Sequence, residues 1–410
     1  MEGLLMGKYT ILENPLVDDR IDRIMNSLVN HIVGVFHPES IILSGSFGRG
    51  EGSVLENDDT KIISDFEIGV ISRKYYKRLL CHRVSERLSR KLNIDLTLNF
   101  YLPSRFTKNK VTNLSGRNRH LTIDQYELRY GSKLLYGKDY ISEMKDYSAE
   151  DIPIWEGLRL TFNRIAESLE YFPPNGDKSK TYMLKKWIYK TILACSDVLL
   201  ISLGRYHFLC RVRLGNLMSA YKNHLQDLFS DSVPEFTDLV TRATLFKLKP
   251  NVSHNENLER LWFQTTTICD IVLRYAVKKD MEFEYLDYID FQEKYLRHPN
   301  LRKKYFREFT GFPWYQNVVH LGRMGQQLRV NKVKKSSCLF LGVSLVHLLY
   351  STIALLYFGL ESMHEFDKEY LRKAENNLRL ITNFQSSGRH QTEWLEAKYL
   401  AVALWSAVCN

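Results

Sequence analysis

The chain is poor in cysteine, and none of it is paired in sequence. Its six cysteines, Cys81, Cys195, Cys210, Cys269, Cys338 and Cys409, stand far apart and form no C-x-x-C, which argues against a zinc ribbon or a dithiol redox motif. A disulfide framework serves chains too small to build a core. At 410 residues this one has room for two or three domains, so the cysteines read as reduced thiols of a cytoplasmic protein. The histidines show no H-x-x-x-H or similar metal spacing. Internal repeats and low-complexity tracts are absent. Met1-Glu2-Gly3-Leu4-Leu5 lacks the basic region and long apolar run of a secretory signal. With 44% hydrophobic and 25% charged residues, the composition is that of a globular protein and excludes disorder, collagen and coiled coil as descriptions of the whole.

What is present is positive charge. Lysine and arginine number 57 against 47 acids, a surplus of +10 that favours polyanionic partners: nucleic acid, nucleotide phosphates or an acidic membrane surface. No RNA-binding module signature accompanies it. One uncharged run, Cys338 to Leu360, follows Lys332, Lys334 and Lys335 and precedes Glu361. Its length and flanks fit a membrane span. The favoured reading is a helix buried on all sides, where His347, Ser344, Ser351 and Thr352 find polar partners more easily than in lipid. Two basic stretches, Arg302 to Arg307 and Arg329 to Lys335, read as charged surface, with a single-stranded nucleic-acid track or a patch against acidic lipid as alternatives.

The two halves differ in texture. Residues 17–35 carry Ile21, Ile24, Met25, Leu28, Ile32 and Val33 at helical spacing. Ile41-Ile42-Leu43, ending in Gly45, predicts a buried strand and a tight turn. Residues 62–71 predict a second strand, and 73–91 a basic helix with Leu79, Leu80, Val84 and Leu88 as its apolar face. Residues 93–100 alternate, Ile94, Leu96, Leu98 and Phe100 one way and Asp95, Thr97 and Asn99 the other, which predicts a half-buried strand. From Trp155 onward the strand signals fade. Residues 155–171, 181–203, 258–279, 338–360 and 366–384 carry helical spacing, punctuated at Pro173-Pro174-Asn175-Gly176, Pro250-Asn251 and Gly311-Phe312-Pro313.

The chemistry concentrates in Leu43-Ser44-Gly45-Ser46-Phe47-Gly48-Arg49-Gly50-Glu51-Gly52, then Ser64-Asp65-Phe66-Glu67, then Ile94-Asp95-Leu96. Asp65 and Glu67, two apart on a strand, point to one face roughly 7 Å apart. Asp95 faces away from the apolar side of its own strand. If the strands are neighbours, three carboxylates converge, and their mutual repulsion calls for a hard divalent cation such as Mg²⁺. Gly45 lets backbone approach a phosphate closely. Ser46 offers a hydroxyl and an N–H, and Arg49 a bidentate fork. These parts describe metal-assisted attack on a nucleotide α-phosphorus.

Gly45-Ser46 after a strand, an Arg-Gly-Glu turn, Asp-x-Glu on the next strand and a single Asp on a third resemble the polymerase-β-like nucleotidyltransferase superfamily, in its small-molecule or bacterial form. The resemblance covers roughly residues 20–140, and residues 122–137 look like the helix and short strand that close such domains. It implies a mixed sheet flanked by helices, here an N-terminal nucleotidyltransferase domain over 1–150. With the helical spacing and punctuation downstream, this gives an α+β protein whose residues 151–410 form a helical region, in one bundle or in two with a break near 250 or 311. The same resemblance implies Mg²⁺ or Mn²⁺ on Asp65, Glu67 and Asp95, with Asp95 also the general base. A nucleoside triphosphate would be held by Gly45, Ser46 and Arg49. The spacing from Ser46 to Asp65 is longer than in compact members, and the intervening Glu56-Asn57-Asp58-Asp59 suggests a hairpin tip; the second carboxylate is Glu67 rather than the commoner Asp.

Downstream, members often follow the sheet with helices from which a lysine reaches the triphosphate. Lys185, Lys186 and Lys190 are the candidates, Lys186 and Lys190 foremost, with Arg205, Arg211 and Arg213 extending a positive wall. Asp197, inside an apolar run, requires a polar partner. The expected activity is transfer of a nucleoside monophosphate from an NTP to an acceptor hydroxyl of unknown identity, nucleic acid being possible but not required. The alternatives are a non-catalytic nucleotide or nucleic-acid binder and a membrane-associated nucleotidyltransferase using residues 338–360.

Overall fold

The computed structural model describes residues 7–55, 61–106, 121–174, 176–229, 231–250, 256–298, 344–362, 365–386 and 390–409. Helix α1 (Pro15–Phe36) opens the chain. Asn14 caps it by accepting from Leu16 N, Pro15 occupies the first turn, and His37 ends it in the left-handed region. Its buried stripe, Val17, Ile21, Met25, Leu28, Ile32 and Phe36, follows the expected periodicity. Strand β1 (Ser40–Ser44) is buried throughout and leads into the single turn α2 (Gly45–Gly48). The short β2 (Val54–Leu55) and β3 (Lys61–Ile62) pair with each other.

The main sheet adds β4 (Phe66–Ile71), β5 (Leu96–Tyr101) and β6 (Lys133–Gly137), in the order β5-β4-β1-β6. β1 is antiparallel to both β4 and β6, while β4 and β5 run parallel. The crossover between the parallel strands is a 3₁₀ turn (Tyr75–Leu80) and helix α3 (Cys81–Leu92). One sheet face, with Ile41, Leu43, Phe66, Ile68, Leu96 and Leu98, packs under α1 and α3. Helix α4 (Ile123–Gly131) starts at a capping box between Thr122 and Gln125.

Three details differ from the sequence expectation. The predicted strand over 62–71 is two strands: the sheet begins at Phe66, and Asp65 immediately precedes it. The predicted helix over 73–91 is a 3₁₀ turn followed by α3, which buries Cys81, Val84 and Leu88. Leu79 and Leu80, expected on the apolar face, are 83% and 37% exposed, because the tighter turn rotates them away from the helical stripe. The tip over Glu56 to Asp59 lies outside the described residues.

The remainder is helical, as expected: α5 (Ile154–Tyr171), α6 (Lys178–Ser202), α7 (Cys210–Ala220), α8 (Gln226–Phe229), α9 (Phe236–Leu248), α10 (Leu258–Met281), α11 (Tyr288–Arg297), α12 (Leu345–Phe358), α13 (Lys368–Ile381) and α14 (His390–Cys409). Acids and amides cap the starts: Asp177 for α6, Asn257 for α10, Asp287 for α11 and Asp367 for α13. One hydrophobic core runs continuously from Leu158 to Val408. The expected break at 311 and the basic stretches 302–307 and 329–335 lie outside the described residues.

Within the uncharged run, α12 is buried on all sides and spans about 21 Å, short of a ~30 Å bilayer core. Its polar groups are paired. His347 Nδ1 meets Tyr295 OH at 2.9 Å, Gln292 donates to Ser351 at 3.0 Å, and Asn377 donates to Thr352 at 3.0 Å. Burial pushes His347 down to about 3, so its ring is neutral. No helix among the described residues is long and apolar enough to cross a membrane. Residues 338–343 lie outside the described residues. Cys81, Cys195, Cys210 and Cys269 are buried free thiols.

Candidate active site

Parallel pairing of β4 with β5 sets the carboxylates. Phe66 is the partner of Leu96 and Glu67 of Thr97, and Phe66 N donates to Asp95 O at 2.8 Å. Asp65 and Asp95 therefore stand level at the entrances of adjacent strands, on the face that carries Glu67 and Thr97. Both aspartates are exposed, while Glu67 is half-buried. Burial, then the charge of Asp65, pushes the Glu67 carboxyl up to about 7, with Arg49 pulling it back. Among the described residues, no group of three His, Cys, Asp or Glu side chains is close enough to hold a metal ion.

Gly45 is required on two grounds. Its φ of +65° lies in the left-handed region, and a Cβ there would stand 2.4 Å from Glu67 Oε1. The missing side chain is thus the space in which the Glu67 carboxylate sits. Ser44 Oγ, one residue earlier, donates to Glu67 O at 3.1 Å and ties β1 to the same strand.

A small cleft of about 60 Å³ brings Ser46 and Asp65 together with Lys186 and Lys190 of α6. Its far wall is Lys247 and Phe246 of α9, with Tyr182 and Tyr189 of α6. Trp187 collects three cations over its ring: Lys190 Nζ at 4.2 Å, Arg164 at 5.5 Å and Lys186 at 5.7 Å. Burial, followed by the charges of Arg164 and Lys186, lowers Lys190 to about 7.

The structure separates the three lysine candidates. Lys185 does not line the cleft but is buried behind its wall, with its Nζ 3.0 Å from Glu256 Oε2 and 5.5 Å from the centre of the Phe246 ring; Glu256 also accepts from Tyr189 OH. Lys186 and Lys190 face the cleft. A period of 3.6 places Lys186 and Lys190, four apart, on one side and Lys185 about 100° away.

Arg49 is used differently from the phosphate fork expected of it. Its side chain is only 7% exposed, and Nη1 donates to Glu127 Oε2 at 2.7 Å. Burial works most strongly against its charge, but Glu127, helped by Tyr206 and Glu51, holds the pKa above its ordinary value. Arg213 is likewise no part of an open wall. It lies in the core, donating to Asp197 at 3.1 Å and to Tyr206 OH at 2.6 Å, and so supplies the partner Asp197 requires. Tyr206 OH passes a hydrogen bond on to Glu127 Oε1 at 2.7 Å. Glu51, fully buried, accepts from Cys210 N at 2.9 Å and Arg211 N at 3.2 Å, which caps α7. The Arg-Gly-Glu turn thus fastens the sheet to the helical half.

Sequence reasoning did not single out Glu127 or Lys247, and it noted Glu51 only as part of the Arg-Gly-Glu turn. Glu127 carried no distinct signal, since α4 also holds Asp124, Gln125 and Arg129. Lys247 carried none, since only tertiary packing brings α9 to Ser46. No protein-family model, curated protein or solved structure matches the chain.

Proposed function

We propose that the protein is a Mg²⁺-dependent nucleotidyltransferase that moves a nucleoside monophosphate from an NTP to an acceptor hydroxyl and releases pyrophosphate. The observation that carries this reading is the single cleft joining Ser46 and Asp65 to Lys186 and Lys190, with Asp95 level with Asp65 on the adjacent strand. The donor set suits a hard cation: all-oxygen carboxylates, one of them destabilised as an anion by burial and by its neighbour. Asp65 and Glu67 would hold Mg²⁺ with Asp95 beside them, and the bound ion would neutralise phosphate charge and favour the deprotonated acceptor hydroxyl.

The chain's own residues supply the rest. Ser46 donates its hydroxyl to phosphate oxygens. Lys186 and Lys190 compensate the triphosphate charge, and Lys190, its pKa lowered to about 7 by burial and then by its cationic neighbours, gains its proton when that anion arrives. Asp95, exposed at the start of β5, accepts the proton of the acceptor hydroxyl. The cleft is smaller than the several hundred Å³ of an ordinary ligand site, so substrate entry requires α6 and α9 to part from the sheet.

The test is pyrophosphate release from each NTP with Mg²⁺ and a lysate as acceptor source. Release that disappears in Asp65→Ala supports the reading; no release from any NTP removes it. A second reading, non-catalytic nucleotide binding on the same fold, is favoured by the wide spacing of the carboxylates. It requires nucleotide binding that survives EDTA and is indifferent to Asp65→Ala.

A further inference from the structure

Among the described residues, β5 is an edge strand of the main sheet. Leu96 to Tyr101 contains no charge and no proline, the devices that usually blunt a free edge. Between this edge and α3 runs an open groove of about 920 Å³. Arg78, Arg90 and Arg105 line it, with Ser85 and Asn99 as polar partners and Phe100 at its wall.

The charge of the chain gathers here. Residues 73–105 hold nine lysines and arginines against Glu86 and Asp95, seven of the chain's ten surplus charges. Some are committed elsewhere. Lys77 Nζ is buried and donates to Val35 O and Phe36 O at the end of α1. Arg73 meets Glu39, Arg105 meets Asp124, and Arg87 lies against His31. Lys74, Arg78, Arg83, Arg90 and Lys91 are exposed and have no acidic partner among the described residues. Like charges left together repel one another and weaken the fold, which a polyanion relieves.

Aromatic faces stand among these cations. Tyr75 is 52% and Tyr76 68% exposed. Arg78 Nη1 donates to Tyr75 OH at 2.5 Å, and the Tyr75 ring meets Phe100 edge-on at 6.2 Å. Exposed rings interleaved with unpaired cations stack bases and neutralise phosphates together. A lipid surface is flat and fits a concave groove poorly; an acidic peptide uses the charge but not the rings.

We propose that this groove binds a single-stranded nucleic acid. The groove includes Thr97, the register partner of Glu67, so a strand lying in it ends at the carboxylates. Resting on the nucleotidyltransferase reading, that strand is the acceptor: its terminal hydroxyl oxygen bonds to the α-phosphorus, the bond from that phosphorus to the bridging oxygen breaks, pyrophosphate leaves with the electron pair, and the hydroxyl proton passes to Asp95.

The test is fluorescence anisotropy of a labelled oligouridine of about 15 nucleotides with the full chain in EDTA. Arg78→Glu/Arg90→Glu is compared with an equal charge change on α13, Lys368→Glu/Arg372→Glu. The expected result is binding that the groove pair weakens at least ~tenfold, with a shallower salt dependence, and that the α13 pair leaves unchanged. Absence of binding, equal weakening by both pairs, or displacement by a poly-glutamate peptide at matched charge overturns the proposal. Oligonucleotide elongation with Mg²⁺ and NTP supports the acceptor role, and transfer to a different acceptor alone overturns it. Intact binding without pyrophosphate from any NTP strikes the nucleotidyltransferase reading and leaves the groove standing.

Discussion

Arg49 and Glu127, 78 residues apart, meet at 2.7 Å beneath the candidate active site. The contact joins the turn that carries Gly45 and Ser46 to α4, and through Tyr206 and Arg213 it reaches α6 and α7. Glu127 is held below its ordinary pKa: burial opposes ionisation, but Arg49 and Arg213 outweigh it. Removing Glu127 leaves two buried guanidiniums without their shared anion. Glu127→Ala is expected to cost about 3–5 kcal/mol, a usual cost of breaking one side of a buried pair, read as a lowered urea midpoint. Arg49→Ala/Glu127→Ala should cost less than the sum of the two single changes.

Asp65 and Glu67 should separate stability from activity. Asp65 is exposed, and Glu67→Gln keeps shape while removing a charge that burial disfavours. Asp65→Ala and Glu67→Gln are each expected to lower pyrophosphate release by ~100-fold or more, the scale set by loss of preorganised charge at a reacting centre, with a melting temperature at or above that of the parent. A large fall in melting temperature with either change would instead give these carboxylates a structural role.

Gly45→Ala is expected to be destabilising for two reasons, the positive φ and the contact with Glu67 Oε1. The second can be relieved independently. Gly45→Ala/Glu67→Ala should regain part of the lost stability relative to Gly45→Ala, while Glu67→Ala alone shifts it little. Thermal unfolding of the four proteins checks this, and strict additivity would show that the carboxylate does not occupy that space.

Lys186→Met and Lys190→Met are expected to raise KM for the NTP by ~tenfold each and to change kcat less, because they meet the triphosphate before and during reaction alike. Lys185→Met should act through stability instead, since its partner is Glu256. Steady-state kinetics across NTP concentration distinguishes the two kinds of lysine.

Lys398 gives the fold a pH dependence. Its Nζ is buried and donates to Phe172 O at 2.6 Å, and burial lowers its pKa from 10.5 to about 7. Between about pH 7 and 10.5 the unfolded chain holds this proton and the folded chain does not, so this residue's contribution to stability rises with pH across that window. Below about 7 both states are protonated and the penalty for burying the ammonium is constant. Lys398→Met should flatten that rise, visible as urea midpoints that converge with those of the parent toward alkaline pH.

Much of the N-terminal sheet region was legible because it depends on short-range pattern. The stripe of α1 and the alternation along β5 come from side-chain period, and the Gly-Ser turn after a buried strand from backbone sterics. Two carboxylates separated by Phe66 point the same way wherever the backbone is extended. The exposed Leu79 was not legible, since a 3₁₀ turn and an α-helix share the same residues there and differ only in hydrogen bonding. The helices α7, α9, α11 and α14 were not read individually beyond a general loss of strand character, although α11 buries Tyr288, Phe291, Gln292 and Tyr295 in one helical stripe.

The sequence alone determined which residues are chemically able to act: Ser46, Asp65, Glu67, Asp95 and a group of lysines near residue 186. Tertiary structure decided how each is used. Parallel register put Asp95 beside Asp65, and the roll of α6 turned Lys186 and Lys190 toward Ser46 and Lys185 toward Glu256. Burial took Arg49 out of the open site and gave it to Glu127. A side chain's type is local information, whereas its exposure and partner depend on chain segments tens to hundreds of residues away.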